Sequence, residues 1–118
     1  MLLSEIVNIL DCDTHSREDK LDIDIKSACG ADLMSDVMAF SRGNSMLLTG
    51  LINPQVIRTA EMMDIKAVIF VRGKKPTSVM CELAEEKDIA LLSTNLPMFS
   101  ACGMLHKAGI SGSGKDCG

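Results

Sequence analysis

Three apolar runs at nearly equal spacing constrain this chain more than any other feature. They begin at Met46, Ala67 and Ile89, 21 and 22 residues apart. Each interval holds one strand, one loop and one helix. Repetition of that unit implies parallel strands joined by right-handed helical crossovers. The runs Ala67-Val-Ile-Phe-Val71 and Ile89-Ala-Leu-Leu92 are continuously apolar, as in strands covered on both faces. The expected fold class is α/β, a single domain with a mostly parallel sheet flanked by helices. The 118 residues suffice for one such domain and not two.

Local signals place the remaining elements. Leu3, Ile6, Val7 and Leu10 recur at helical spacing. Residues 11–22 read as a polar loop, and Ile23 and Ile25 alternate with Asp24 and Lys26 as in a half-exposed strand ending near Ala28. Asp32 is placed to cap a helix carrying Leu33, Met34, Val37 and Met38 and ending near Gly43. Asn53-Pro54 opens a helix with Val56, Ile57, Ala60 and Met63. Thr77 caps the next, through Val79, Met80, Leu83 and Ala84. Ser93-Thr94-Asn95 offers three caps for a final helix over 96–107, which Gly109 stops. The expected division is a domain over 1–110 and a mobile tail over 111–118.

Composition narrows the function classes. The net charge of −4, with Lys and Arg scattered, argues against nucleic acid or an anionic membrane as partner. Three Phe, with no Trp or Tyr, leave little for base stacking. Nine Met residues serve as core filler or as an adaptable contact surface. The five Cys are odd in number and show no disulfide framework, the first residues lack a basic start, and no apolar run is long enough to span a bilayer. A reduced, cytoplasmic protein is expected.

Ligands of open α/β sheets bind beyond the carboxyl ends of the strands. Here those ends carry Thr49-Gly50, Arg72-Gly73-Lys74-Lys75 and Ser93-Thr94. If each precedes a helix N-terminus, hydroxyls, glycine backbone and three cations line one cleft suited to a phosphate or carboxylate. The plainer reading is that Thr49, Ser93 and Thr94 cap helices and the cations are solvated. The stretch Gly109-Ile-Ser-Gly-Ser-Gly-Lys115 imitates a phosphate loop, but Asp116 follows and no helix does. Cys12 and His15 have metal-like spacing without a second pair, and read as surface residues. Ser27-Ala-Cys-Gly30 and Ser100-Ala-Cys-Gly103 share a tetrapeptide: Cys29 and Cys102 are buried structural thiols, or ligands of an iron–sulfur cluster across a symmetric interface. Asp32 and Asp36 share a helical face, and Glu85-Glu86 lie on an exposed helix. No catalytic set emerges, no metal site is assigned, and no cofactor is identified.

The segment Cys29-Gly-Ala-Asp-Leu-Met-Ser-Asp-Val-Met-Ala-Phe40 resembles the DLLSDVMA segment of DRTGG domains. Leu48-Thr-Gly-Leu-Ile-Asn-Pro-Gln-Val-Ile-Arg-Thr-Ala60, Phe70-Val-Arg-Gly-Lys-Lys-Pro76 and Leu91-Leu-Ser-Thr94 continue the match in order, over about Leu21 to Ile110. At the eponymous Asp-Arg-Thr-Gly-Gly stretch this chain has Asp22, but Ile23 replaces the Arg, and Ser27 and Ala28 replace the glycines. The variant is similar to short stand-alone members of anaerobic bacteria, encoded near iron-hydrogenase subunits. The resemblance implies a fold similar to the N-terminal domain of HPr kinase and a regulatory or dimerising role without enzymatic activity. It implies a homodimer with a small anionic ligand, or alternatively an accessory domain with a protein partner in hydrogenase or redox metabolism. Its motif positions fall on Asp32, Ser35, Asp36, Thr49, Gly50, Asn53, Arg72, Gly73, Ser93 and Thr94. Lys74 joins them from the same loop.

Overall fold

The structure, a computed structural model, describes residues 1–40 and 43–112. Its elements are α1 (Leu3–Leu10), β1 (Asp13–Ser16), β2 (Ser27–Gly30), α2 (Met34–Phe40), β3 (Ser45–Thr49), α3 (Gln55–Met62), β4 (Ile65–Phe70), α4 (Ser78–Lys87), β5 (Ala90–Ser93), α5 (Met98–Ala108) and β6 (Ser111–Gly112). They build one six-stranded sheet in the order β1-β5-β4-β3-β2-β6. The β2, β3, β4, β5 and β6 pairings are parallel, and β1 runs antiparallel to β5.

Topology dictates the layering. From β2 to β5 the chain steps to the adjacent strand each time, so right-handed crossovers set α2, α3 and α4 on one face. The return from β5 to β6 crosses the sheet the other way and sets α5 on the opposite face, beside α1. Strand side chains alternate accordingly. Leu47, Val68, Phe70 and Leu91 pack with Val37, Val56, Ile57 and Met80. Met46, Leu48, Ile69 and Leu92 pack with Ile6, Leu10, Ala101 and Leu105 on the other face. Met34, Met46 and Met80 are core residues, whereas Met38, Met62 and Met104 are exposed.

Three expectations need correction. Residues 11–22 are not wholly loop: Asp13-Thr-His-Ser16 forms β1, too polar to register as a strand because it is an edge. The second strand is not centred on Ile23 and Ile25 but lies at Ser27–Gly30, where small residues give little apolar signal. Ile25 is buried instead by the chain's first residues, with the Ile23 carbonyl accepting from the Leu3 N–H. Ser111 and Gly112 are not tail but β6, paired with Ser27 and Ala28. The rest of the expected tail, 113–118, lies outside the described residues, as do positions 41 and 42 near the predicted end of α2. Thr77 does cap α4, accepting from the Met80 N–H at 3.2 Å, and Gly109 ends α5 at φ +113°.

Candidate functional site

Strands β4 and β5 are neighbours whose outgoing connections lead to opposite faces, β4 to α4 and β5 to α5. That divergence is the switch point at which open α/β sheets form a crevice. Thr49, Phe70 and Ser93 stand in one row across β3, β4 and β5. With strands about 4.8 Å apart, the two hydroxyl-bearing residues lie about 10 Å from each other.

On the β3 side, Asp32 Oδ1 accepts from the Gly50 N–H at 2.7 Å and from Thr49 Oγ1 at 3.1 Å. Thr49 Oγ1 in turn accepts from the Leu51 N–H at 3.2 Å. The Arg72 guanidinium lies against Gly50: a Cβ there would stand 2.9 Å from Arg72 Nη2 and 3.6 Å from Asp32 Oδ1. Gly50 thus keeps the space that the arginine occupies. Arg72 itself has φ +59°, an uncommon conformation for a side-chain-bearing residue, and Gly73 follows at φ +72°. The turn is fastened to β5's exit, with the Arg72 N–H donating to Leu96 O and the Gly73 N–H to Thr94 O.

On the β5 side, His15 Nε2 and Ser93 Oγ are 2.7 Å apart. Lys75 Nζ reaches Asp13 Oδ2 at 3.6 Å. Burial, and then the Lys75 charge, hold the His15 ring below its ordinary pKa, with Asp13 opposing them. Arg72, Gly73 and Lys74 are exposed, and among the described residues neither Arg72 nor Lys74 forms a salt bridge.

Asp32, Thr49, Gly50 and Arg72 therefore meet, whereas the remaining sequence candidates divide. Ser93 belongs to the His15 pair. Thr94 is buried, its hydroxyl donating to Leu10 O at 2.7 Å, so it ties β5 to α1 rather than facing the rim. Asn53 Oδ1 accepts from the Gln55 N–H at 2.8 Å and serves α3. Ser35 and Asp36 sit exposed on α2, apart from the bonds that join Asp32 to β3.

The capping scheme for the strand ends is overturned. Asp32 turns away from α2 to β3, and Thr49, Ser93 and Thr94 cap no helix. Four or more residues separate each of these strand exits from the next helix. The sequence offers His15 only a metal-like spacing from Cys12 and a place in a stretch that reads as loop; the structure sets it instead against Ser93.

The two Ser-Ala-Cys-Gly segments meet through packing. A Cβ on Gly30 would stand 2.9 Å from Cys102 Sγ, so the glycine admits α5 to the sheet. Cys29 packs with the α2–α4 face and Cys102 with the α1–α5 face. Burial raises both thiol pKa values. Among the described residues no three His, Cys, Asp or Glu side chains gather as metal ligands. No helix among them is long and apolar enough to cross a membrane.

The rim is open. A groove of about 470 Å³ lies elsewhere, between α5 and the β2–β6 edge, with Ala28, Gly30, Leu48, Cys102 and Gly103 among its lining and the 88% exposed Phe99 at its side.

No protein-family model and no curated protein matches this chain. One solved structure of similar fold is the CBS and DRTGG domain part of the regulatory region of Clostridium perfringens pyrophosphatase, complexed with its activator diadenosine tetraphosphate. The TM-score is 0.73 at 17% sequence identity, over 88% of this chain and 45% of that one. This chain thus spans under half of that neighbour. The likeness is one of fold.

Proposed function

We propose that this protein is a non-catalytic regulatory module that binds a small anionic ligand, a nucleotide or phosphorylated metabolite, at the carboxyl ends of β3, β4 and β5. One observation carries the reading: Arg72 is held at φ +59° with its guanidinium over Gly50 and no carboxylate bridging it among the described residues. Backbone strain of this kind costs on the order of 1–3 kcal/mol and persists where surrounding structure imposes it, often at ligand clamps. Arg72 and Lys74 supply charge, Lys75 follows on the same loop and acts on His15, and Gly50 keeps the space that the Arg72 guanidinium occupies. The nucleotide activator of the structural neighbour is in keeping with this class of ligand. Because Arg72 and Lys74 are exposed, their attraction for the anion is screened, so affinity falls with added salt.

The test is a thermal-shift screen with ATP, AMP, NADH, acetyl phosphate and diadenosine tetraphosphate, repeated on Arg72→Gly. Glycine accepts the backbone conformation, so this variant melts no lower than the parent, yet loses the ligand-induced shift. A ligand at 100 times its Kd adds about 2.7 kcal/mol of stability. No shift with any of the five would sink the reading.

A second reading, dimerisation or protein docking, is favoured by Phe99 at the side of the α5 groove. Large exposed apolar side chains beside an apolar groove mark contact surfaces. The homodimer, and the hydrogenase or redox partner implied by the resemblance, are both assigned to this face. Phe99→Glu is expected to convert a dimer to a monomer in light scattering, and an unchanged mass counts against it.

A further inference from the structure

His15 is the residue of β1 left without a partner in β5, because the register passes from Thr14↔Leu92 to Ser16↔Leu91. A bulge of this kind adds one residue, re-aims its side chain and is frequent beside binding sites. Here it brings the imidazole to Ser93, the last residue of β5 at the switch point. The charged groups around the ring come from three elements. Asp13 lies on its own strand and Lys75 on the β4–α4 loop, and these two are paired. Glu85 of α4 is engaged by Ser16 Oγ and the Arg17 N–H. β5 contributes the Ser93 hydroxyl.

We infer that His15 is a proton-gated contact of the strand-end site, so that the ligand anion and a proton on the imidazole bind together. This rests on the anion-binding reading above. In the free protein, burial and Lys75 disfavour the imidazolium, and the ring is neutral at pH 7. An anion beside Lys75 offsets that repulsion. The ring then takes up a proton, Nε2–H donates to Ser93 Oγ, and the intact serine O–H turns to donate to another acceptor. By linkage, affinity rises as pH falls through the His15 range, by at most about tenfold per pH unit for one proton. The reciprocal effect is that bound anion raises the histidine's proton affinity by the same factor.

Diadenosine tetraphosphate is the suitable probe, because its bridging phosphates do not titrate in the histidine range of about pH 5 to 8. Calorimetry in two buffers of different ionisation enthalpy counts the protons taken up. The parent protein is expected to gain up to one proton on binding. His15→Gln keeps a hydrogen-bonding group near Ser93 but cannot titrate. It should match the parent near pH 8, bind about tenfold more weakly near pH 6, and take up no proton. Should the variant not fold, the His15 ring titration by NMR in the parent decides: its midpoint must rise on binding. Proton uptake that survives in His15→Gln, or parent affinity independent of pH, overturns the inference and leaves the anion site standing. Absence of binding at every pH overturns the anion-binding reading, and the inference falls with it.

Discussion

Replacing Thr94 by Val isolates one hydroxyl at the junction of β5 and α1. Thr94 Oγ1 donates to Leu10 O at 2.7 Å and accepts from the Leu96 N–H at 3.3 Å. Leu10 closes α1, and the last carbonyls of a helix have no donor within it. Valine keeps the shape, removes the donor and leaves a buried carbonyl unpaired, which costs about 1–3 kcal/mol. Taking about 2.1 cal/mol/K per residue for the unfolding entropy, a chain of this size loses about 4 °C of Tm per kcal/mol. A mid-range loss of about 2 kcal/mol therefore lowers Tm by about 8 °C. Thr94→Ser keeps the hydroxyl and removes one methyl, for about 1 kcal/mol and about 4 °C. The assay is thermal unfolding followed by circular dichroism, with amide exchange at Leu96 as the local readout. If the valine variant melts as high as the serine variant, the hydroxyl is not the tie and the reasoning is refuted.

Gly50→Ala places a methyl 2.9 Å from Arg72 Nη2, the end of a flexible side chain. Tm should change little, while isothermal titration shows ligand affinity falling about tenfold, the ~1.4 kcal/mol equivalent of a displaced guanidinium. His15 is depressed below 6.5, so the unfolded chain binds its proton first. The stability it contributes is complete above about pH 6.5 and is lost as pH falls toward the folded value; urea midpoints should show this component in the parent and not in His15→Gln. Burial, aided by Asp11 and Asp13, pushes the Cys12 thiol up to about 12. In a Cys117→Ser background at pH 8, maleimide should therefore label Cys12 more slowly in the native protein than in urea, and equal rates would contradict that burial.

The central strands are legible in the sequence because β3, β4 and β5 are covered on both faces and so carry unbroken apolar runs. The margins are not. β1 is four polar residues, β2 offers Ala28, Cys29 and Gly30, and neither has the hydrophobic contrast that betrays a strand. Part of the rim is legible too: Thr49, Gly50 and Arg72 follow strand exits in sequence, and the structure gathers them with Asp32. Local rules err where a hydroxyl or carboxylate has a distant rival for the expected cap, as Asp32 has in Gly50 and Thr94 has in Leu10. His15 is illegible in principle, because its position depends on a bulge against a strand over seventy residues away in sequence.

The two outer strands have a bearing on solubility. Open sheet margins with unpaired amides are templates on which further chains add, and long, flat, apolar margins seed fibres. Here one margin is the four-residue β1, interrupted by its bulge, and the other is the two-residue β6 among the described residues. Among the described residues, neither offers a foreign strand enough regular backbone to pair with. The apolar β3, β4 and β5, the hazardous segments of this chain, are thereby guarded by two poor templates.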